Sequence, residues 1–401
     1  MSEHNQQHSP GDKIRVLRIS HSSLTPTLRE RERALARDYP DIDLQVITAR
    51  EWREAEVDVK ATTDDLFPVF APRTLFSKHV QLFAWNPSTV IAALRRHRPH
   101  LIDLNHEPFS VGCAQMLTLC NWFAPRAAII LQTAQNIHRQ YPPPFCWAEK
   151  RAFRRVDAAY ACSETTREVM RAKGFEKPMA IIPFGVDQRF FDTARDSNHA
   201  AGESLTIGYV GRMLPGKGLN ILAEALSQLR FSNWKLLVVG DGPERPSFEK
   251  QLTQLGLMNR TRFVGAISYD DVPATFKQID MLVMPTQTTS RIREQFGRVL
   301  VEAMASGVPV IGSTSGAIPE VIADAGLIVP EGDSAELAQA IEKLLSNPGL
   351  RAQLARAGRE RVERHYSWSR VADITYEFYR RILKGQVATS LDRKFEFASE
   401  R

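Results

Sequence analysis

The sequence lacks several features that would assign it to common protein classes. No stretch reaches the roughly 20 consecutive apolar residues of a membrane-spanning helix, so we expect a soluble protein. The start, residues 1–13, is polar with no apolar centre, and we expect a disordered tail there rather than a signal peptide. Only four cysteines occur, without metal-ligand or CxxC spacing, which predicts free thiols in a reducing cytoplasm.

The net charge of the sequence is also small. A net charge of +6 on 401 residues does not require nucleic acid as a partner. Basic residues concentrate at Arg95, Arg96 and Arg98, and within residues 150–155. Such clusters favour peripheral contact with an anionic membrane, at its inner face, or with a phosphorylated acceptor. Solvated helix faces explain them equally well, so both interpretations stay open.

The length and the 43% hydrophobic content predict two domains rather than one core. In the first, residues 14–192, strands such as 14–19, 44–47 and 101–104 alternate with helices such as 29–39 and 88–98. After a polar linker, residues 205–365 repeat this alternation, and residues 366–390 predict a helix that packs back on the first domain. Alternation of this kind predicts two α/β, Rossmann-like domains with parallel sheets and a cleft between them.

Two carboxylates stand eight residues apart around an apolar helix. Glu294 lies on the loop before the helix, and Glu302 lies inside its first turns, followed by a strand predicted at residues 308–311. A buried carboxylate needs hydrogen-bond donors, and sugar hydroxyls supply them. The helix N-terminus beneath Glu294 favours a phosphate. An isolated pair of this spacing is more often a helix-start carboxylate and a surface residue, but the apolar flanks favour a sugar-nucleotide site.

A basic, glycine-rich turn opens the second domain at residues 211–218. Its glycines let the backbone approach an anion, and Arg212 and Lys217 add two positive charges without a metal. The spacing fits neither a Walker A loop nor a G-x-G-x-x-G fingerprint. Such a turn alone is more often only a turn.

His106 ends the predicted strand 101–104, where it would face the cleft. An imidazole there can donate to a sugar hydroxyl or to charge that develops in the transition state. A lone histidine is more often structural, but the His-Glu-Pro setting favours a site role. The Glu107 side chain would point the other way along an extended segment.

Taken together, these motifs resemble the family-4 retaining glycosyltransferases of GT-B fold. The resemblance rests on the segments 211–218, 239–243, 263–265, 294–297 and 302–303, with 106–108, 182–187 and 366–368 in support. It implies transfer of a hexose, with retained anomeric configuration, from a nucleotide sugar such as UDP-glucose or GDP-mannose. It implies no cofactor and no obligatory metal. The implied acceptor is a sugar, a polysaccharide or a lipid-linked sugar, as in the synthesis of cell-surface polysaccharides.

The resemblance also implies roles for individual residues. Arg212 and Lys217 would hold the diphosphate as it leaves, Glu302 would accept the ribose hydroxyls, and Glu294 would bind the hexose near the reacting carbon. The remaining contacts would come from backbone groups. The backbone near Gly265 and Ile267 would contact the base, and the amides of Phe296 and Gly297 would contact the sugar or phosphate.

One departure from the family concerns the acceptor side. Many relatives carry paired glycines after the first strand, where this chain has residues 19–24. Either Ser22 and Ser23 donate hydroxyls in place of bare amides, or His21 points into the cleft. The loop 133–144 either lines an acceptor groove or, at its prolines, acts as a rigid connector.

Other functions fit less well. A sugar-nucleotide epimerase would lack this donor signature, and a glycogen phosphorylase-like enzyme would need a pyridoxal-binding lysine with no clear candidate here. A catalytically idle, sugar-nucleotide-binding or scaffold protein is the alternative from a different class. It would have no reason to keep Arg212, Lys217, Glu294, Glu302 and His106 together.

Overall fold

A computed structural model of the chain describes residues 13–54, 57–77, 79–192 and 204–385. The chain divides into two compact units. Unit 1 contains the residues up to Pro183 and those from Trp368 onward, and unit 2 contains Phe184–Ser367. Most of the tail and linker expected from the sequence, and the end of the last segment, lie outside the described residues.

Strands and helices alternate along both units. The strands are β1 Ile14–Ser20, β2 Ile42–Ile47, β3 Glu51–Glu54, β4 Val57–Lys60, β5 Val69–Phe70, β6 Thr74–Leu75, β7 Ala84–Trp85, β8 Leu101–Asn105, β9 Ala128–Thr133, β10 Ala158–Ala161, β11 Met179–Ile181, β12 Leu205–Val210, β13 Trp234–Val239, β14 Thr261–Gly265, β15 Met281–Met284, β16 Val310–Ser313 and β17 Leu327–Val329. The helices are α1 Glu30–Asp38, α2 Pro87–His97, α3 Val111–Phe123, α4 Phe145–Arg155, α5 Glu164–Ala172, α6 Gln188–Asp192, α7 Leu219–Ser227, α8 Arg245–Gln254, α9 Val272–Phe276, α10 Arg298–Ala305, α11 Ile318–Ile322, α12 Ser334–Ser346, α13 Pro348–His365 and α14 Trp368–Leu383. Within the described ranges, every helix is too short or too polar to cross a lipid bilayer.

Each unit is built on one parallel sheet. In unit 1 the strand order is β11-β10-β9-β8-β1-β2-β5, and in unit 2 it is β14-β13-β12-β15-β16-β17. The central strands are buried almost throughout because helices cover both faces of such sheets, which explains their runs of Val, Ile and Leu. The predicted fold class of two Rossmann-like α/β halves is confirmed.

The sequence predicts a strand at residues 308–311, whereas the observed strand β16, Val310–Ser313, begins two residues later. The Val308 amide donates to the Ala303 carbonyl at 2.9 Å and so still closes the end of α10. Pro309 has no amide hydrogen to add to a strand ladder. The prediction extended the strand into this turn because the turn is itself apolar.

A buried group of charged and aromatic side chains joins α14 to the sheet of unit 1. Asp103, fully buried on β8, accepts from Arg18 at 2.6 Å, from Arg31 at 2.9 Å and from the Tyr379 hydroxyl at 2.6 Å. Burial opposes ionisation of Asp103, but these cations and hydroxyls outweigh it and lower its pKa. The last helix is therefore held to unit 1 by a buried ionic group as well as by apolar packing.

Candidate active site

In unit 2, the loops that follow neighbouring strands meet at the carboxyl edge of the sheet. The Gly240 amide after β13 donates to the Gly265 carbonyl at the end of β14, at 2.8 Å. The Gln287 amide after β15 donates to the Gly216 carbonyl in the loop after β12, at 2.7 Å. Open parallel sheets bind their ligands at this edge, and it is where most of the predicted donor residues lie.

The glycine-rich turn after β12 approaches the loop after β15 closely. Gly218 has φ +73°, and a Cβ there would lie 1.9 Å from the Pro285 carbonyl oxygen. Only glycine combines this backbone conformation with so close an approach. The turn is thereby held against the loop that leads to Glu294.

Lys217 and Glu294, which the sequence predicts as separate ligand contacts, form an ion pair. The Lys217 Nζ lies 2.6 Å from the Glu294 Oε2, and the two side chains are 23% and 13% exposed. Water screens a partly exposed pair, so its contribution to stability is small. A diphosphate placed here would compete with Glu294 for the ammonium group. A sugar would find a donor and an acceptor side by side.

Arg212 stands apart from this pair. Its side chain is exposed and makes no ion pair within the part of the chain that the structure describes. Its carbonyl oxygen accepts from the Tyr209 hydroxyl at 3.0 Å, which ties down the backbone of the turn. The guanidinium is therefore available to an anion at the same edge.

Glu302 is 7% exposed and lies on α10. Its Oε1 accepts from the Tyr269 hydroxyl at 3.1 Å, and the Arg298 guanidinium lies 3.7 Å away. Burial raises the pKa of Glu302, while Arg298 and Tyr269 oppose that shift. Glu302 is not a free surface carboxylate, and it retains acceptor capacity for a ligand hydroxyl.

The remaining predicted donor contacts are backbone groups in unit 2. Gly265 uses its carbonyl for the bond to Gly240, and Ile267 lies half-buried on the loop after β14. The ring of Phe296 is buried, and Gly297 precedes α10 as its N-cap. The structure thus brings Lys217 and Glu294 into contact, and the other predicted donor residues lie in unit 2 on loops and on α10.

His106 follows β8 in unit 1, where aromatic rings enclose its imidazole. The Phe83 ring stacks on it at a centroid distance of 5.2 Å, and the Trp85 indole N–H donates to its Nε2 at 2.9 Å. The ring proton of a neutral His106 therefore lies on Nδ1. Burial, followed by His21 and Arg18, lowers the pKa of His106 well below its usual value, so the ring is neutral near pH 7.

The Nδ1 of His106 is buried and has no hydrogen-bond partner within the described residues. An unpaired buried N–H is costly, and a ligand oxygen would satisfy it. His21 lies beside it at a centroid distance of 5.8 Å, and burial lowers the pKa of His21 to about 4. Both rings are thus neutral hydrogen-bonding groups rather than cations.

The residues that replace the expected glycine pair have different environments. The Asn105 amide donates to the Ser22 hydroxyl at 3.4 Å, whereas Ser23 is buried. The Glu107 carboxylate accepts from the Thr133 hydroxyl at 3.0 Å and from the Ala134 amide at 3.3 Å. Glu107 therefore anchors the start of the loop 133–144.

Sequence reasoning missed two residues of these sites. Tyr269 lies in a loop 33 residues before Glu302, and Trp85 lies 21 residues before His106. Neither belongs to a motif, because each meets its partner only through the fold. One local signal could have indicated Tyr269, because a tyrosine in the loop that follows a strand is a candidate for the carboxyl edge of the sheet. No such signal indicates Trp85.

Two family models match the chain. Residues 27–190 match the model described as Glycosyltransferase Family 4, and residues 190–361 match the model described as Glycosyl transferases group 1. Together the two models span residues 27–361, well over half of the chain.

Curated relatives and solved structures agree with these models. The 2-deoxystreptamine glucosyltransferase of Streptomyces kanamyceticus is 27% identical over 63% of this chain and 68% of its own. A GDP-mannose-dependent monoacylated alpha-(1-6)-phosphatidylinositol monomannoside mannosyltransferase of Corynebacterium glutamicum is 31% identical over 52% of this chain and 58% of its own. The match thus spans about two thirds or less of these relatives.

Among solved structures, Anabaena HepE in complex with UDP and glucose superposes with a TM-score of 0.65. It is 19% identical, and the match covers 92% of this chain and 99% of that one. Likeness at this identity shows the fold. With the two family models, it establishes that the chain belongs to the family-4-type glycosyltransferases of GT-B fold.

Proposed function

We propose that the protein transfers a hexose from a nucleotide diphosphate sugar to a sugar, polysaccharide or lipid-linked acceptor, with retention of configuration and without an obligatory metal. One observation carries the proposal. The Lys217–Glu294 pair precedes α10, whose second turn carries the buried Glu302, at the carboxyl edge of the sheet in unit 2. A cation, a hydroxyl-binding carboxylate and a helix N-terminus are the groups that a sugar diphosphate requires.

In the proposed reaction, the bond between the anomeric carbon and the diphosphate oxygen breaks. A new bond to the acceptor oxygen forms on the same face, and the departing diphosphate takes the acceptor proton. Lys217 and Arg212 stabilise the negative charge that accumulates on the diphosphate. Glu302 holds the ribose, while Glu294 holds the hexose and orients the ammonium group of Lys217.

His106 takes part as a neutral donor. Trp85 occupies its Nε2, so only Nδ1–H is available to a sugar hydroxyl. A neutral ring suits this role because it donates a hydrogen bond to a sugar hydroxyl without adding a charge.

The names of the relatives guide the choice of donor. One relative is named as a glucosyltransferase and another as GDP-mannose-dependent, and the HepE structure contains UDP and glucose. UDP-glucose and GDP-mannose are therefore the first donors to test. Base contacts through the backbone near Gly265 and Ile267 do not distinguish them.

The test is a donor screen that measures release of nucleoside diphosphate from UDP-glucose, GDP-mannose and other common sugar nucleotides, with water as the acceptor. We expect release from at least one donor, and a sugar product whose first-formed anomer, followed by NMR, matches that of the donor. Release of the opposite anomer would contradict retention. If no donor is turned over while a nucleoside diphosphate still binds, the protein is an idle sugar-nucleotide-binding protein.

A further inference from the structure

Tyr269 joins two charged side chains of α10 through its hydroxyl group. The hydroxyl accepts from the Arg298 Nη2 at 3.1 Å and donates to the Glu302 Oε1 at 3.1 Å. A guanidinium group has only donors to offer, so the proton of the hydroxyl lies toward Glu302. Burial raises the pKa of Tyr269, which keeps the hydroxyl protonated at neutral pH. The direction of both hydrogen bonds is therefore fixed.

The hydroxyl also keeps the two charges apart. The Arg298 Nη2 lies 3.7 Å from the Glu302 Oε1, which is too far for a hydrogen bond. The Arg298 side chain is 44% exposed, so its guanidinium group has room to move toward the carboxylate if the hydroxyl is removed. Tyr269 therefore satisfies one oxygen of Glu302 and prevents a direct ion pair with Arg298.

Neighbouring side chains hold the ring of Tyr269 in place. The guanidinium groups of Arg298 and Arg189 lie 5.4 Å and 5.8 Å from the centroid of the ring. The Phe190 ring lies 5.8 Å away, measured between centroids. Arg189 in turn pairs with Asp270, the residue after Tyr269, at 2.7 Å. These contacts position the hydroxyl before any ligand binds, and such preorganisation lowers the cost of binding.

The second oxygen of Glu302 is left for a ligand. Within the described residues, every hydrogen bond and ion pair of this carboxylate goes to Oε1. Oε2 is not among the fully buried atoms, and the side chain is 9% exposed. A carboxylate oxygen has two acceptor sites, which suits two neighbouring hydroxyl donors. A ribose carries such a pair of hydroxyls, whereas a deoxyribose carries only one of the two.

We propose that Tyr269 is a positioning residue that holds Glu302 with Oε2 toward the ligand, and that the protein thereby distinguishes a ribonucleotide from a deoxyribonucleotide. Without the hydroxyl, Arg298 pairs directly with the carboxylate, and a ribose has to displace that cation. The role rests on the proposed function, because it requires a nucleotide at the carboxyl edge of unit 2. A merely structural role of Tyr269 would affect both kinds of nucleotide alike.

The test is calorimetric titration of UDP, GDP, dUDP and dGDP into the wild type and the Tyr269→Phe variant. We expect the wild type to bind a ribonucleotide about tenfold more tightly than its deoxy form, since one hydrogen bond to a charged group is lost. In Tyr269→Phe this ratio should fall to about threefold, because Glu302 is no longer held for the ribose. Phenylalanine keeps the ring contacts, and circular dichroism confirms folding.

Tyr209→Phe is the matched control. It removes a tyrosine hydroxyl from the same unit, where that hydroxyl donates to the Arg212 carbonyl at 3.0 Å. This hydroxyl supports the turn that would hold the diphosphate, which is the same in all four nucleotides. Any loss of affinity in Tyr209→Phe should therefore fall equally on the ribose and deoxyribose forms, and their ratio should remain that of the wild type.

Three outcomes would overturn the positioning role while a nucleotide still binds, which leaves the proposed function intact. They are a wild-type ratio in Tyr269→Phe, an equal fall of the ratio in Tyr209→Phe, and equal binding of ribose and deoxyribose forms by the wild type. Binding of neither UDP nor GDP by the wild type would contradict the proposed function, and the positioning role with it.

Discussion

The Lys217→Ala variant is expected to turn over its sugar nucleotide about 100-fold more slowly than the wild type while keeping its fold. Removing one preorganised charge at a leaving group typically costs about 3 kcal/mol of barrier. Lys217 is partly exposed and, among the described residues, its ammonium group pairs with Glu294 alone, so its loss leaves no fully buried charge unpaired. The measurement is the rate of nucleoside diphosphate release at saturating donor, with circular dichroism to confirm folding.

Two controls accompany this prediction. Lys250→Ala removes an exposed lysine from α8, away from the candidate site, and should leave turnover unchanged. A chelator should have little effect on the wild type, because the two cations of the turn supply the charge that a metal would. Turnover that a chelator abolishes and magnesium restores would contradict the metal-free arrangement.

The Asp103→Asn variant is expected to lower the free energy of unfolding by about 3–5 kcal/mol at pH 7, the usual range when one partner of a buried ion pair is removed. Asp103 accepts from Arg18, Arg31 and Tyr379 in the interior of unit 1. Without its charge, Glu32 is the one carboxylate that pairs with these two guanidinium groups in the part of the chain that the structure describes. Urea denaturation measures the difference, and Asp58→Asn on an exposed strand serves as the control.

The contribution of Asp103 to the free energy of unfolding also depends on pH. The pKa of Asp103 is lowered in the folded state, so its stabilisation is fully present above the unfolded value of about 3.9. It is lost as pH falls through the folded pKa. The difference between wild type and variant should therefore be constant from pH 5 to 7 and shrink below about pH 4. A variant within 0.5 kcal/mol of the wild type at pH 7, roughly the scatter of surface substitutions, would refute this account of the buried group.

The alternation of strands and helices was predictable because it depends on local patterns. Buried parallel strands appear in the sequence as short runs of Val, Ile and Leu, and the helices that cover the sheet follow them at regular intervals. The end of α10 shows the limit of such patterns, since Val308 is apolar yet belongs to a turn.

The candidate site was predictable where a motif lies within one loop. Lys217, Glu294 and Glu302 each belong to a short segment with its own chemistry. The contact between Lys217 and Glu294 spans 77 residues and depends on the close approach of the two loops at Gly218. Tyr269 and Trp85 were missed for the same reason, since local sequence does not specify a partner that only the tertiary fold supplies.

The role of the two carboxylates can be tested directly by calorimetric titration of UDP and GDP into the wild type, Glu302→Gln and Glu294→Gln. We predict that at least one nucleotide binds the wild type and that Glu302→Gln weakens it about tenfold, since a charged acceptor for the ribose is lost. Glu294→Gln should leave binding unchanged or tighten it, because Lys217 is released to the diphosphate. Equal weakening by both substitutions, or no binding of either nucleotide, would contradict the assignment of unit 2 as the nucleotide-sugar site.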